Sequence, residues 1–387
     1  MEELSRRRLA TADSTFVYVA PERFVSNAAG DIFLAGRPNL LYRRDSTGRG
    51  AKVAEDSLLG AIVRADGTVD LVRPPFSARR LGYVDVLARP DGGWDVVMQE
   101  MRRGGTLQSR PPHDTTAALW HGVHDGIGWT HMEALPLPPR ATIELFSHAP
   151  LSRMGDTLAW AIPASFFPHG SRVVTLIRES GVWNVDVTPI SQTLYPSLVI
   201  MPDGTRWLAT VGSDPDHEGD VNSLFLWTRD STWRRAGVVA DSHVYGEAHN
   251  PFLRTTPAGL LLAWYAETDG RRVVALVDDV RTLSPPTLLS VDATTFWSDL
   301  HVVELPDGRL LWVTEHATSQ GSPPLIRFTL RDHGERRGTF VSPFVVRARA
   351  AALPENRLLL TGAGESVSEH LAYSLVVEVQ MSCLSAR

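Results

Sequence analysis

The sequence predicts an all-β fold, a seven-bladed β-propeller of four-stranded antiparallel blades, from three observations. Turn residues interrupt apolar or alternating stretches at a regular distance along the whole chain. Each such turn is followed by a second strand–turn–strand segment before the next repeat begins. Few segments place apolar residues at helical spacing over three turns. A period of about 50 residues with roughly four strands in each period is typical of propeller blades.

Each repeat begins with a strand, a tight turn and a second strand. Pro202–Gly204 and Pro306–Gly308 are the clearest turns, because each follows an apolar stretch and precedes a strand that contains tryptophan. Proline and glycine at such positions predict a two-stranded hairpin. The equivalent turn residues lie 48 to 63 residues apart and are Gly30, Gly92, Gly155, Gly204, Gly259, Gly308 and Asn356.

The regular repeat favours a single propeller domain over residues 1–387, with two smaller β domains as the alternative. The last repeat ends with one clear strand, 372–379, whereas an unpaired strand, 15–19, stands at the start. We therefore expect residues 15–20 to complete the last blade, which leaves no unpaired sheet edge there. The predicted repeats lie near residues 21–80, 81–140, 141–192, 193–243, 244–292, 293–343 and 344–381.

The composition excludes several classes of protein. The chain has 387 residues, a net charge of −6 and a single cysteine, Cys383. An intramolecular disulfide is therefore impossible, and general nucleic-acid binding is not expected. No apolar run approaches the roughly 18 residues of a membrane span. The first residues lack the apolar core of a secretory signal, which predicts a cytoplasmic protein unless a leader has been removed.

The second hairpins of three repeats carry an acidic or glycine turn followed by tryptophan. These segments are Asp125–Trp129, Glu179–Trp183 and Asp230–Trp233. They resemble the Asp-box of sialidase-like (BNR-repeat) propellers, in which an Asp side chain ties a β-turn and an aromatic ring packs beneath it. In that family Trp follows Asp by five residues, whereas here it follows the acidic residue by four, four and three. The resemblance implies the propeller fold and the structure of these turns, and it does not imply an active site.

Aligning the repeats on their turns identifies the strand nearest the propeller axis, where ligands commonly bind. The residue six before each turn residue is always apolar, whereas polar and aromatic residues predominate at nine and seven before. Because strand side chains alternate between two faces, the polar set is a candidate lining of the central funnel. The residues nine before are Pro21, Tyr83, Phe146, Tyr195, Asn250, Asp299 and Arg347. Those seven before are Arg23, Asp85, His148, Ser197, Phe252, His301 and Arg349.

Further charged residues stand where the second strands return toward the same end. A rim rich in Tyr, His, carboxylate and Arg can move protons and orient a polar substrate. We predict that Asp299, His301 and Tyr195 share one pocket. The catalytic candidates are Tyr195, Asp299, His301, Glu267, His249 and Asp85. The substrate-binding candidates are Arg23, Tyr83, Glu100, His148, Asn250, Trp297, His316, Arg347 and Arg349.

Three kinds of chemistry fit these candidates. Glycoside hydrolysis needs two carboxylates, and their separation decides between retention and inversion. A sialidase-type reaction would use Tyr195 or Tyr83 as the nucleophile, with arginines holding a substrate carboxylate. A lyase acting on a uronate would use a His or Tyr base, with Arg or Asn250 neutralising the acid. The spacing of the residues does not choose among the three.

An acidic loop after the fourth turn is a candidate calcium site, because Ca²⁺ takes six to eight oxygen ligands. The loop lacks the glycine and terminal glutamate of an EF-hand, so a solvated loop is the alternative. No phosphate-binding glycine motif and no GxSxG nucleophile elbow occurs in the chain. The carboxylates of the loop are Asp214, Asp216, Glu218 and Asp220.

Together these features predict a carbohydrate-active enzyme, glycoside hydrolase-like, that acts at the funnel on a sugar or a similarly polar substrate, either neutral or acidic. A polysaccharide lyase and a non-catalytic propeller that binds a protein or peptide are the alternatives, since one fold hosts many functions. The expected ligand is a glycan or small molecule. No nucleic-acid or membrane partner and no required cofactor is expected, and calcium is possible.

Overall fold

The computed structural model describes residues 2–380 with gaps, and the statements below concern the described residues. The regular elements among those residues are β-strands, apart from the four-residue helix α1 (Ser242–Tyr245) and the 3-10 turn Val280–Thr282. None of the helices described is long and apolar enough to cross a membrane. The gaps are residues 9, 11–15, 45–49, 54–57, 77–80, 102–115, 144–148, 167, 214–221, 246, 257–258, 269–270, 290–296, 305–309, 318–324, 332–334, 342–345, 354–356 and 367–370.

The described strands form seven antiparallel sheets, each built on a path of four strands. The first strand, β1 (Glu2–Arg8), belongs to the last of these sheets. Sheet 1 contains β2 (Phe16–Ser26), β3 (Ile32–Arg44), β5 (Gly60–Val63) and β6 (Val69–Val72), with β4 (Gly50–Val53) paired to β3. Sheet 2 contains β7 (Leu81–Ala88), β8 (Trp94–Met101), β9 (Thr116–His124) and β10 (Trp129–Ala134).

Sheet 3 contains β11 (Ala141–Ile143), β13 (Thr157–Phe166), β14 (Ser171–Glu179) and β15 (Val182–Val187), with β12 (Ser152–Met154) paired to β13. Sheet 4 contains β16 (Leu194–Ile200), β17 (Arg206–Gly212), β18 (Ser223–Arg229) and β19 (Trp233–Ala240). Sheet 5 contains β20 (Glu247–Thr256), β21 (Gly259–Thr268), β22 (Arg271–Val277) and β23 (Thr287–Leu289).

Sheet 6 contains β24 (Trp297–Glu304), β25 (Leu310–Ala317), β26 (Leu325–Arg331) and β27 (Glu335–Val341). Sheet 7 contains β28 (Val346–Leu353), β29 (Arg357–Ser366), β30 (Leu371–Gln380) and β1. The prediction of an all-β propeller with four-stranded antiparallel blades is confirmed.

An N-terminal strand completes sheet 7, but it is not the strand that the sequence analysis chose. β1 pairs with β30, so that Glu2 lies opposite Gln380 and Arg8 opposite Leu375. The described residues of that predicted strand, 16–20, fall instead at the start of β2, where Val19 lies opposite Asn39 of β3. The prediction was wrong because β1 is polar and charged and shows no strand-like hydrophobic pattern. An edge strand needs only its backbone hydrogen bonds, and charged side chains protect its free edge.

The described residues divide into two compact units. Unit 1 contains Met1–Met98, Gly122–Met132 and Thr294–Arg387, and unit 2 contains Gln99–His121 and Glu133–Ala293. In each unit, apolar residues of neighbouring sheets pack into shared clusters. The aligned position six before the turn is buried, as its apolar character predicts. The described residues at that position are Phe24, Val86, Ala149, Leu198, Leu253 and Ala350.

Unit 1 holds an aromatic cluster under the turn at Asp125. The ring of His124 packs edge-on against Trp129, with 5.1 Å between centroids, and against Phe33, with 6.1 Å. The N–H of Gly126 donates to His124 Nδ1 at 3.0 Å. Burial of the ring lowers the pKa of His124, because the charged imidazolium is poorly solvated there. His124 is therefore a neutral hydrogen-bond acceptor in the folded protein.

We expect the free energy of unfolding to fall as the pH drops below about 6.5, the ordinary pKa of histidine. The unfolded chain binds a proton on His124 at a higher pH than the folded chain, because the pKa of His124 is lowered only by folding. The contribution is complete above that pH and is lost as the pH falls. Urea unfolding between about pH 8 and 5 measures it.

The variant His124→Asn keeps an acceptor for Gly126 and should flatten this pH dependence. His131→Asn is the matched control, because the His131 side chain is exposed. An equally steep pH dependence in the His124 variant would contradict the assignment.

Candidate functional site

Arg23, Tyr83 and Asp85 lie together in unit 1. Arg23 Nε donates to Asp85 Oδ1, and Arg23 Nη2 lies 3.4 Å from the Tyr83 hydroxyl. Asp85 is 2% exposed and also accepts the N–H of Val86 at 2.9 Å. This buried carboxylate is thus already paired with a cation, and its contacts join sheet 1 to sheet 2.

The aligned position seven before the turn joins neighbouring sheets in unit 2 as well. Ser197 is 1% exposed, and its Oγ accepts the N–H of Leu253 in the next sheet at 3.0 Å. Asp85 occupies the same repeat position in unit 1. In these sheets the polar residues at this position form contacts between sheets, whereas the sequence analysis assigned the set to a funnel lining.

The strand pairing is irregular around the aligned position nine residues before the turn. The strand register shifts around this position in β2, β16, β20 and β28, that is, around Pro21, Tyr195, Asn250 and Arg347. Such β-bulges re-aim a side chain and are common beside active sites. The strand pairing is therefore irregular at the same aligned position in four sheets.

Tyr195 and Asn250 also have left-handed backbone conformations, with φ of 50° and 46°. Asparagine tolerates this region, but a bulky residue such as tyrosine rarely adopts it. Both residues precede a buried proline, Pro196 or Pro251, which has no N–H to donate to the strand ladder. The cost of such backbone strain is about 1 to 3 kcal/mol per residue, and strain of this kind is concentrated at functional sites.

The two bulges bring a tyrosine and a histidine together in unit 2. The rings of Tyr195 and His249 are 5.9 Å apart between centroids and meet edge to face. His249 Nε2 lies 3.7 Å from Glu247 Oε2 and 3.8 Å from Glu267 Oε2. We call Tyr195, Glu247, His249, Asn250 and Glu267 the sheet 4–5 cluster.

The two carboxylates of the cluster face each other across the strand ladder. Glu247 lies directly opposite Glu267 in the pairing of β20 with β21. Like charges at directly opposite positions destabilise a sheet, and a protonated His249 between them would offset this repulsion. Both carboxylates are partly exposed, with side-chain accessibilities of 48% and 39%. The cluster therefore offers a solvent-reachable imidazole and two carboxylates that can exchange protons with a ligand.

The other described candidates make local contacts. Glu100 Oε2 accepts the indole N–H of Trp120 on the neighbouring strand at 3.1 Å. Arg349 is half-buried on β28, where it lies opposite Thr361 in the register. Neither residue lies in the sheet 4–5 cluster, and their predicted roles in substrate binding stay predictions.

Several predicted residues lie outside the described part of the chain. His148 and the proposed calcium loop, with Asp214, Asp216, Glu218 and Asp220, fall in gaps. For the remaining ones only the backbone is described: Trp297, Asp299, His301 and His316 lie on β24 and β25, and Arg347 lies on β28. The prediction of one pocket shared by Asp299, His301 and Tyr195 therefore stays a prediction, as does the calcium site.

The sequence analysis did not select two residues of this region, Glu247 and Asn222. Asn222, on the loop that precedes β18, donates from Nδ2 to Glu247 Oε2 at 2.8 Å. Its backbone oxygen also accepts the N–H of Ala248 at 2.8 Å. Asn222 stands at none of the aligned repeat positions, so the sequence does not single it out. The bulges could have been predicted, because a proline follows both Tyr195 and Asn250 and cannot donate to the strand ladder.

No protein-family model matches the chain, and a search of curated protein sequences finds no match. Among solved structures, a protein of unknown function from Dyadobacter fermentans DSM 18053 is similar in fold. It is 13% identical, the alignment covers 98% of each chain, and the TM-score is 0.50. This likeness extends over nearly the whole chain and concerns the fold alone.

Two enzymes give weaker structural matches. The endo-arabinase from Bacteroides thetaiotaomicron VPI-5482 is 13% identical over 63% of this chain and 92% of its own, with a TM-score of 0.40. The GH43_1 enzyme from Xanthomonas citri complexed with xylose is 13% identical over 68% of this chain and 93% of its own, with a TM-score of 0.39. Matches at this level assign no activity to the chain.

Proposed function

We propose that the chain is a carbohydrate-active enzyme of the glycoside hydrolase type and that the sheet 4–5 cluster is its reaction centre. The observation that carries the proposal is His249 Nε2, which lies within 4 Å of the carboxylates of both Glu247 and Glu267. A glycosidase needs one group to protonate the departing oxygen and a second to attack the sugar or activate water. Glu247 and Glu267 are the candidate pair, and His249 links them.

Tyr195 and Asn250 would hold the sugar in this centre. An aromatic ring gives a sugar a flat apolar contact, and an amide gives it both a donor and an acceptor. The bulges support this role, because they turn the residues of one repeat position out of the regular pleat.

A lyase that acts on a uronate is less well supported by the same residues. Its base could be His249 or Tyr195, but the substrate carboxylate would approach Glu247 and Glu267. Two like charges at such short range disfavour binding. The charge of the cluster therefore favours a neutral sugar ring at the point of reaction.

We also propose that each of the seven sheets is one propeller blade. The pairing of β1 with β30 supports this, because it gives the last sheet its fourth strand. Within unit 1, β2 contacts both β7 and β28, and within unit 2, β16 contacts both β13 and β20.

The test is a set of chromogenic glycosides and polysaccharides with neutral, uronate and sialic acid units. We expect hydrolysis of a neutral glycoside, seen as release of the chromophore or a new reducing end. An unsaturated uronate product would show a lyase instead. The absence of turnover together with the absence of sugar binding in calorimetry would overturn the proposal and favour a protein-binding propeller.

A further inference from the structure

We propose that Asn222 is a positioning residue that sets the distance between Glu247 and His249, a role that rests on the proposed function of the cluster. Asn222 belongs to sheet 4 by sequence, and its contacts are with the first strand of sheet 5. The amide holds the same oxygen, Glu247 Oε2, that lies nearest His249 Nε2.

The hydrogen bond from Asn222 is the shorter of the two contacts of that oxygen. Asn222 Nδ2 is 2.8 Å from Glu247 Oε2, whereas His249 Nε2 is 3.7 Å from it. The Glu247 side chain is partly exposed, so without this hydrogen bond its carboxylate can turn away from the ring into solvent. The amide therefore holds the oxygen of Glu247 near the ring, where it can reach a ligand.

The backbone of Asn222 makes a second, separate contact. Its φ of 59° is left-handed, and its carbonyl accepts the N–H of Ala248. Glycine adopts this conformation without steric cost, so Asn222→Gly keeps the backbone contact and removes only the amide. Asn222→Asp keeps the shape of the side chain and replaces the donor with a negative charge.

His249 itself reports on this arrangement. Among the described contacts of its ring, the titratable groups are Glu247 on its own strand, Glu267 on β21 and Tyr195 on β16. Tyr265 lies opposite His249 in the register of β21. A change in the position or number of carboxylates near the ring changes the pH at which it takes up a proton.

The experiment is an NMR titration of the histidine rings in the full chain, with His249 assigned from the spectrum of His249→Gln. In Asn222→Gly, Glu247 loses its tether and turns to solvent, so the midpoint of the His249 titration should fall by more than about 0.3 pH unit. In Asn222→Asp the added charge should raise the midpoint by a similar amount. Shifts of opposite sign in the two variants are expected only of a residue that positions charge.

Asn27→Gly is the matched control. Asn27 also lies in a loop, and its amide joins two sheets by donating to the Gly92 carbonyl at 2.6 Å. This variant should lower the midpoint temperature of unfolding without moving the titration of His249. An unmoved midpoint in both Asn222 variants, or an equal shift in Asn27→Gly, would overturn the proposal.

The titration needs no substrate, so its result is separate from that of the activity screen. Opposite shifts without turnover of any sugar would leave the positioning role in place and remove the proposed function. Turnover of a sugar together with an unchanged His249 titration would support the proposed function and remove the positioning role of Asn222. Where turnover is found, the pH profile of kcat in the two Asn222 variants should move in the same directions as the midpoint.

Discussion

Replacing His249 by glutamine is expected to lower kcat on the sugar substrate by about 100-fold or more while the protein keeps its fold. Glutamine can still form hydrogen bonds, but it cannot take up or release a proton at the position where His249 Nε2 meets Glu247 and Glu267. The KM should change much less than kcat, because the imidazole acts on the proton and not on the body of the sugar. Steady-state kinetics, with circular dichroism as the check on folding, measure both.

Glu267→Gln should cause a loss of similar size, because the amide cannot serve as a base or as a nucleophile. The matched control is Glu179→Gln, since Glu179 is a partly exposed glutamate that forms a 3.6 Å ion pair with Arg206. A Glu267 variant that retains more than about half of the wild-type kcat would remove this carboxylate from the reaction centre.

Replacing Glu133 by alanine is expected to lower the free energy of unfolding by about 2 to 3 kcal/mol. Glu133 Oε1 accepts the indole N–H of Trp183 at 3.0 Å and Arg178 Nε at 3.3 Å, and it lies 3.1 Å from His121 Nδ1. The side chain of His121 is fully buried. Loss of the carboxylate would leave these three polar groups without the acceptor that they share.

Urea unfolding of Glu133→Ala, Glu133→Gln and Trp183→Phe separates the contributions. The glutamine variant keeps an acceptor and should lose less than the alanine variant. The phenylalanine variant removes the indole donor and part of the ring. Glu179→Ala is the control for an exposed glutamate. A change within about 0.5 kcal/mol for Glu133→Ala would refute the role, because surface substitutions fall in that range.

The same arrangement occurs one sheet further along unit 2. Asp186 accepts a hydrogen bond from Arg229 and one from the Trp233 indole at 3.4 Å. In both cases the arginine lies directly opposite the tryptophan in the strand register, as Arg178 lies opposite Trp183 and Arg229 opposite Trp233. Cross-strand neighbours reach the same point in space, so both can bind one carboxylate of the preceding sheet.

The tryptophans concerned are those that the sequence analysis connected with Asp-box turns. At the first of these turns, Asp125 Oδ1 accepts the N–H groups of Ile127 and Gly128, each at 2.8 Å. Trp129 donates to the carbonyl of Arg73, which directly follows β6 of the preceding sheet, at 2.7 Å. The turn was readable from the sequence, but the contacts of the tryptophans with the preceding sheet were not.

Counting from the turns aligned Tyr195 with Asn250, and the structure places a bulge at both. Counting back from the turns gives a correct alignment because each hairpin is a local unit. Its turn residues and alternating side chains interact with residues that are close in sequence. The burial of the apolar position six before the turn follows for the same reason.

Aligning the repeats could not predict which groups the polar residues contact. Asp85 and His301 both stand seven residues before the turn of their repeat, yet the carboxylate of Asp85 is bound by Arg23, which is 62 residues away in the sequence. Asn222 carried no signal, and β1 was too polar to resemble a strand. Contacts of this kind depend on how neighbouring sheets pack, which no pattern within one repeat records.

The sequence by itself determined the all-β class, the repeat of about 50 residues and the apolar face of each inner strand, because hydrophobic alternation and turn residues act locally. Only the tertiary structure decided that β1 completes the last sheet and that Glu247, His249 and Glu267 form one cluster beside Tyr195. Strand register and the packing of adjacent sheets choose which polar side chains meet. Both are set by contacts between residues that lie far apart in the chain.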